Sequence, residues 1–162
     1  MDNATPPPQP RLQGPAAPVL DIVVPVYNEA HVLERSLTTL VDHVRRHVPY
    51  PARITIADNA STDDTLAVAR RLEATHPEVE ALHLDVKGRG LALATTWGRS
   101  DASVLAYMDV DLSTDLSALH SLIEPLVRNQ ADVAIGSRLL HRSNGRRSLK
   151  REFISRSYNQ IV

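Results

Sequence analysis

Val19-Leu20-Asp21-Ile22-Val23-Val24-Pro25-Val26, continued by Tyr27-Asn28-Glu29 and a long helical pattern to His47, is the stretch on which the fold class turns. Its first eight residues form a short, valine-rich apolar run of the kind a buried strand presents. From Glu29 to His47 the period changes: Val32, Leu33, Leu37, Leu40, Val41 and Val44 fall on one face of a helix. The same alternation then repeats. Arg53 to Asp58 reads as a strand, Asp63 to His76 as a helix, Val79 to Leu84 as a strand, Gly90 to Gly98 as a helix and Ser103 to Met108 as a fourth strand. A helical pattern through Leu116, Leu119, Leu122, Ile123, Leu126 and Val127 follows, with Pro125 as a point of kinking, and Asp132 to Gly136 reads as a fifth strand. Repeated strand-helix units imply an α/β fold with a mostly parallel sheet and helices on both faces, because parallel neighbours need crossover connections.

Composition limits what such a fold could serve. The 162 residues carry 18 Lys and Arg against 19 Asp and Glu, a formal charge of −1, which argues against a generally basic nucleic-acid binder. Only six aromatic residues are present, too few for a stacking platform for single strands. Disulfides and thiolate metal sites are excluded by the lack of cysteine. Six of the 11 prolines lie within residues 1–18, including Pro6-Pro7-Pro8, so this stretch is expected to be a disordered arm, with the domain running over 19–162. No apolar run reaches the roughly 18 residues of a spanning helix, and the N-terminus does not read as a signal peptide.

In open α/β sheets, ligands bind beyond the carboxyl ends of the strands. Here those ends are Tyr27-Asn28-Glu29, Asp58-Asn59, Asp85 to Gly90, Asp109 to Asp111, and Gly136-Ser137-Arg138. With 12 aspartates in the chain, about one Asp-x-Asp is expected by chance, so the placement of Asp109-Val110-Asp111 matters more than its pattern. It directly follows Val104-Leu105-Ala106-Tyr107-Met108, a strand that would deliver two carboxylates to the ligand edge. Hard oxygen ligands of this kind suit Mg²⁺ or Mn²⁺, while the alternative is a solvated loop that caps the next helix through Ser113, Thr114 or Asp115.

Lys87-Gly88-Arg89-Gly90 precedes a helix, and glycine amides at a helix N-terminus form a phosphate cradle that two cations would strengthen. Leu93 stands where a dinucleotide fingerprint needs its third glycine. In Asp58-Asn59-Ala60-Ser61-Thr62-Asp63, Ser61 or Thr62 is placed to cap the following helix, and Asp58 could accept hydrogen bonds from a nucleobase edge. His43 and His47 have zinc-compatible spacing but sit beside Arg45 and Arg46 with no third ligand, which favours a solvated face. From Arg138 to Arg156, seven cations face Glu152 alone, an anion-binding or membrane-surface patch if it turns toward the site.

In this order the motifs resemble glycosyltransferase family 2, and within it the polyprenyl-phosphate (dolichyl-phosphate) glucose and mannose synthases. The resemblance covers Leu20 to the end and rests on Pro25-Val26-Tyr27-Asn28-Glu29, Asp58-Asn59-Ala60-Ser61, Lys87-Gly88-Arg89-Gly90, Asp109-Val110-Asp111-Leu112-Ser113, Gly136-Ser137-Arg138 and Lys150-Arg151-Glu152-Phe153-Ile154-Ser155-Arg156. It implies a GT-A, Rossmann-like fold in which Pro25, Tyr27, Glu29, Asp58 and Lys87 hold the nucleotide. Asp109 and Asp111 would hold Mg²⁺ or Mn²⁺ on the diphosphate, with Asp111 and Arg138 as catalytic groups. Arg138, Arg151 and Arg156 would receive the acceptor phosphate.

The implied reaction is inverting transfer of a hexose from UDP-glucose or GDP-mannose to a polyprenyl phosphate. It would take place at the cytoplasmic face of a membrane. Two rivals are a haloacid-dehalogenase-like phosphatase, whose Asp-x-Asp normally ends the first strand, and a nucleotide-binding fragment without turnover. Asn59-Ala60 departs from the Asp-Gly of many members. The helical pattern of Leu149, Phe153, Ile154, Tyr158 and Ile161 runs into Val162 without a stop signal, so the chain is expected to be incomplete at its C-terminus.

Overall fold

The computed structural model describes residues 18–113 and 115–136. Four parallel strands, β1 (Leu20–Val26), β2 (Ala52–Asn59), β3 (Val79–Leu84) and β4 (Val104–Tyr107), form one sheet in the order β3-β2-β1-β4. The helices are α1 (Ala30–His47), α2 (Thr65–Thr75), α3 (Arg89–Arg99) and α4 (Leu119–Val127), the last preceded by a 3₁₀ turn at Leu116–Ala118. Each lies within two or three residues of its expected position, and Pro125 is accommodated inside α4.

Alternation along β1 sorts the core into two layers. Leu20, Ile22, Val24 and Val26 face α1 and α2, and join Leu33, Leu37, Leu40 and Val41 of α1, Val68, Ala69 and Leu72 of α2, and Leu119 and Ile123 of α4. On the opposite face Val23 packs with Ala57, Leu84 and Ala92 beneath α3. Asp21 shares that second face and is only 1% exposed. Its carboxylate accepts hydrogen bonds from Arg53 Nη2 (2.8 Å), Thr55 Oγ1 (2.8 Å) and Ser100 Oγ (2.6 Å), which supplies the pairing a buried charge requires.

The expected fifth strand is a correction. Residues 132–136 pair with no strand among the described residues, and Val133 and Ile135 are 74% and 81% exposed. Alternation reports which side chains share a face, but a strand forms only when a partner edge is taken up. The Pro-rich stretch 1–17 and the whole basic segment from Ser137 onward lie outside the described residues.

Candidate functional site

Three strand-end turns at the carboxyl edge of the sheet contain a non-glycine residue in the left-handed region: Asn28 (φ 54°) after β1, Ala60 (φ 59°) after β2 and Leu112 (φ 48°) after β4. Asparagine tolerates this conformation, whereas alanine and leucine adopt it at a steric cost, so the turns are held by their surroundings. The first two hold each other. Ser61 Oγ accepts from Asn28 N (2.9 Å), Asn28 Oδ1 accepts from Thr62 N (2.8 Å), and Thr65 Oγ1 accepts from Glu29 N (2.8 Å).

This cross-stitching corrects the capping expectation. Ser61 and Thr62 serve the β1 turn, and at the start of α2 it is Asp63, one residue before the cap position Asp64, that accepts from Thr65 N (3.0 Å). The Asp63 carboxyl is held below its ordinary value, first by the Thr65 hydroxyl and then by backbone N–H groups that include Ala30 of α1.

Asp58 sits deeper than a base-contacting residue needs to. It has no exposed surface; Oδ2 bonds His83 Nδ1 at 2.6 Å, and Oδ1 has no partner among the described residues. With Asp58 ionised, this contact requires the proton on Nδ1. A carboxylate so enclosed reaches a nucleobase only if its cover moves, and the outward side of the pair is the His83 ring, 33% exposed. His83 went unrecognised in the sequence because its link to Asp58 comes from the β2-β3 register, in which the two residues are direct partners.

The Lys87-Gly88-Arg89 loop crosses the sheet edge and touches the ends of the three other strands. Lys87 Nζ lies 3.5 Å from the centroid of the Tyr27 ring, a cation–π contact that fixes the loop to the end of β1. Gly88 N donates to Asn59 Oδ1 at 2.6 Å, tying it to β2. A Cβ on Gly88 would approach the Leu91 Cβ to 3.3 Å, a tight contact to which Leu91 would have to yield by a few tenths of an ångström. Arg89 Nη2 pairs with Asp109 Oδ1 beyond β4. The Gly88 amide is therefore engaged by Asn59. The N–H groups of Arg89, Gly90 and Leu91 precede the first bond of the α3 ladder, Ala92 N to Gly88 O (2.8 Å), and are the donors such a helix start could offer an anion.

Asp109 and Asp111 are both exposed. Asp111 Oδ1 accepts from Ser113 N (3.0 Å), and Leu112 N donates to Asp109 O (3.2 Å), so the two carboxylates flank a tight turn. The cap of the following 3₁₀ turn is Asp115, through Ser117 N (2.9 Å), and this bond holds its carboxyl low. No group of three or more His, Cys, Asp or Glu among the described residues is placed to hold a metal ion by itself. Two hard oxygen donors at an open edge fit Mg²⁺ or Mn²⁺, which retain positions for water and substrate phosphates. His43 and His47, with ring centroids 4.7 Å apart, gain no third ligand among the described residues. Burial and then the His47 charge hold His43 below its ordinary value.

Of the remaining expected residues, Pro25 is half-buried in β1 opposite Ala57, and Glu29 precedes α1. Tyr27, Lys87, Asp109 and Asp111 share the edge, with Asp58 below it. Arg138, Arg151 and Arg156 lie outside the described residues. No helix among the described residues is long and apolar enough to cross a membrane.

Comparison with known proteins bears on this edge. The family described as Glycosyl transferase family 2 matches residues 21–161. A Haloferax volcanii protein named glycosyltransferase AglD is 32% identical over 145 residues, covering 88% of this chain and 23% of that protein. Dodecaprenyl-phosphate galacturonate synthase of Rhizobium johnstonii is 31% identical over 125 residues, covering 74% and 36%. Among solved structures, the mannosyltransferase PcManGT of Pyrobaculum calidifontis, in complex with GDP-Man and Mn²⁺, aligns with a TM-score of 0.55 at 27% identity, covering 67% of this chain and 32% of that one. The chain thus spans roughly a quarter to a third of the length of these proteins.

Proposed function

The chain belongs to glycosyl transferase family 2 and has its α/β, GT-A type fold, and from that premise we propose that the protein moves a hexose from UDP-glucose or GDP-mannose to a polyprenyl phosphate, with inversion. One observation carries the placement of the donor: a single loop, Lys87 to Arg89, contacts Tyr27, Asn59 and Asp109 at the ends of the three other strands. Pro25, Tyr27, Glu29 and the Asp58–His83 pair would bound the nucleoside. Lys87 and the N-terminal amides of α3 would meet the diphosphate.

Asp109 and Asp111 would hold Mg²⁺ or Mn²⁺, which when bound neutralises the departing diphosphate. The archaeal neighbour was solved with Mn²⁺ and GDP-Man, and the Rhizobium relative is named for a polyprenyl-phosphate product, which supports metal, donor and acceptor alike.

The acceptor explains why no general base is assigned. A sugar hydroxyl must lose a proton to attack, whereas a phosphate monoester, with a second pKa of about 6, already carries an ionised oxygen at neutral pH. Catalysis then consists in holding two anions together. Arg138, Arg151 and Arg156 offer bidentate guanidinium groups for the acceptor phosphate, and their basic segment would lie against the cytoplasmic face of a membrane.

A transfer assay with UDP-glucose, GDP-mannose and polyprenyl phosphate, run on a form of the protein that turns over, tests this reading. Arg151→Ala is expected to raise the requirement for lipid phosphate about tenfold or more while donor binding holds, since charge-assisted bonds contribute about 1.5–3 kcal/mol. Loss of donor binding, or an unchanged requirement for lipid phosphate, removes Arg151 from the acceptor site.

A further inference from the structure

We propose that Arg89 is a displaceable counter-ion: it neutralises Asp109 while no metal is bound, and the divalent ion and donor diphosphate together draw its guanidinium from the carboxylate to the phosphates. The inference rests on the reading of Asp109 and Asp111 as metal ligands. Arg89 opens α3, and its Nη2 is paired with Asp109 Oδ1, so the cation of one motif sits on a carboxylate that the other motif would offer to a metal. Asp111 is differently engaged, accepting a backbone N–H from Ser113. The obstacle to metal binding is therefore on Asp109 alone.

A guanidinium and a divalent ion on the same carboxylate are two cations side by side, and they repel each other. Arg89 thus weakens metal binding in the absence of donor. Both side chains are about half exposed, 55% and 51%, which places the effect at the modest end of the range for ion pairs.

While paired with Asp109 the guanidinium already lies 5.7 Å from the centroid of the Tyr107 ring, which itself sits 6.1 Å from that of Trp97, so an aromatic face is at hand to keep it near the site on release. Tyr107 is half exposed at the end of β4, where the donor diphosphate would lie in the reading above. A guanidinium beside two phosphates forms bidentate, charge-assisted bonds, so donor binding compensates the contact that metal binding removed. Arg89 consequently couples the two ligands: each raises the affinity for the other by the same factor.

The test is direct titration of the 162-residue chain with Mn²⁺, first alone and then with saturating UDP or GDP. The parent is compared with Arg89→Gln and with Arg71→Gln. The first substitution keeps a polar side chain without the charge. The second removes an exposed cation of the same kind from α2, where it pairs with Glu34 at 3.6 Å. Arg89→Gln is expected to bind Mn²⁺ about three- to fivefold tighter than the parent without nucleotide, the scale of an exposed ion pair. It should also gain less Mn²⁺ affinity on adding UDP or GDP. Arg71→Gln should change Mn²⁺ affinity without nucleotide little.

Equal or weaker Mn²⁺ binding by Arg89→Gln, or the same gain in Arg71→Gln, overturns the counter-ion role and leaves the metal site standing. No Mn²⁺ binding by any of the three, with or without nucleotide, removes the metal reading and the inference together.

Discussion

Asp21 shows how much a single residue can carry away from the site. It interrupts the apolar run that marks β1, yet it holds Arg53, Thr55 and Ser100, and Arg53 reaches outward to Asp101 (3.1 Å) and Glu80 (3.7 Å). Removing one partner of a buried pair strands the other, at a cost of about 3–5 kcal/mol. Arg53 keeps its two outer carboxylates, so Asp21→Ala should sit near the lower end, about 3 kcal/mol, measured by urea unfolding with nucleotide contacts untouched. A loss under about 1 kcal/mol, typical of surface pairs, would show the network to be dispensable. At this scale the sequence was partly legible. Tyr27, Lys87, Asp109 and Asp111 were readable as edge residues because each follows an apolar strand. The burial of Asp58 and its pairing with His83, 25 residues away, depend on strand register and on what covers the strand end, which local pattern does not encode.

At the scale of elements, the two helices that follow β1 and β2 are tied together at their starts. Asp63 accepts from Thr65 N of α2 and, at 3.4 Å, from Ala30 N of α1, so one carboxylate serves two helix N-termini. Because its carboxyl titrates lower in the folded chain than in the unfolded one, folding favours the charged form. Its contribution is present above the ordinary carboxylate value and lost as pH falls through the folded value. Asp63→Ala should therefore lower the melting temperature at pH 7. The gap to the parent should narrow as pH drops below about 4; a gap that stays constant to pH 2 would assign the loss to something other than the charge. The four helices and the four paired strands were legible because apolar period marks their buried faces. The cap on α2 and the stitch between turns were not, since Ser61, Thr62 and Asp63 are all competent caps, and only the neighbouring turn decides which hydroxyl it recruits. The unpaired stretch 132–136 marks the same limit, with an alternation that names a face and no partner.

Over the whole molecule, the sheet order β3-β2-β1-β4 brings four loops to one edge, and the connections among them are made by charged and polar residues. Lys87 on Tyr27, Gly88 on Asn59 and Arg89 on Asp109 draw the edge into one surface, as a site for an anionic ligand requires. Under the proposed function this edge binds a nucleotide diphosphate sugar through a divalent ion held by Asp109 and Asp111. Ligand that binds only the folded state stabilises it by about 2.7 kcal/mol at a hundred times its Kd, several degrees of melting temperature for a chain of this size. The most direct measurement is thermal unfolding of the chain with UDP-glucose or GDP-mannose, each with and without Mn²⁺, for the parent and Asp111→Asn. The predicted result is a rise of several degrees with one nucleotide sugar and Mn²⁺ together, little with either alone, and loss of that joint rise in Asp111→Asn. No rise with any nucleotide sugar, or a rise independent of both Mn²⁺ and Asp111, would contradict the claim.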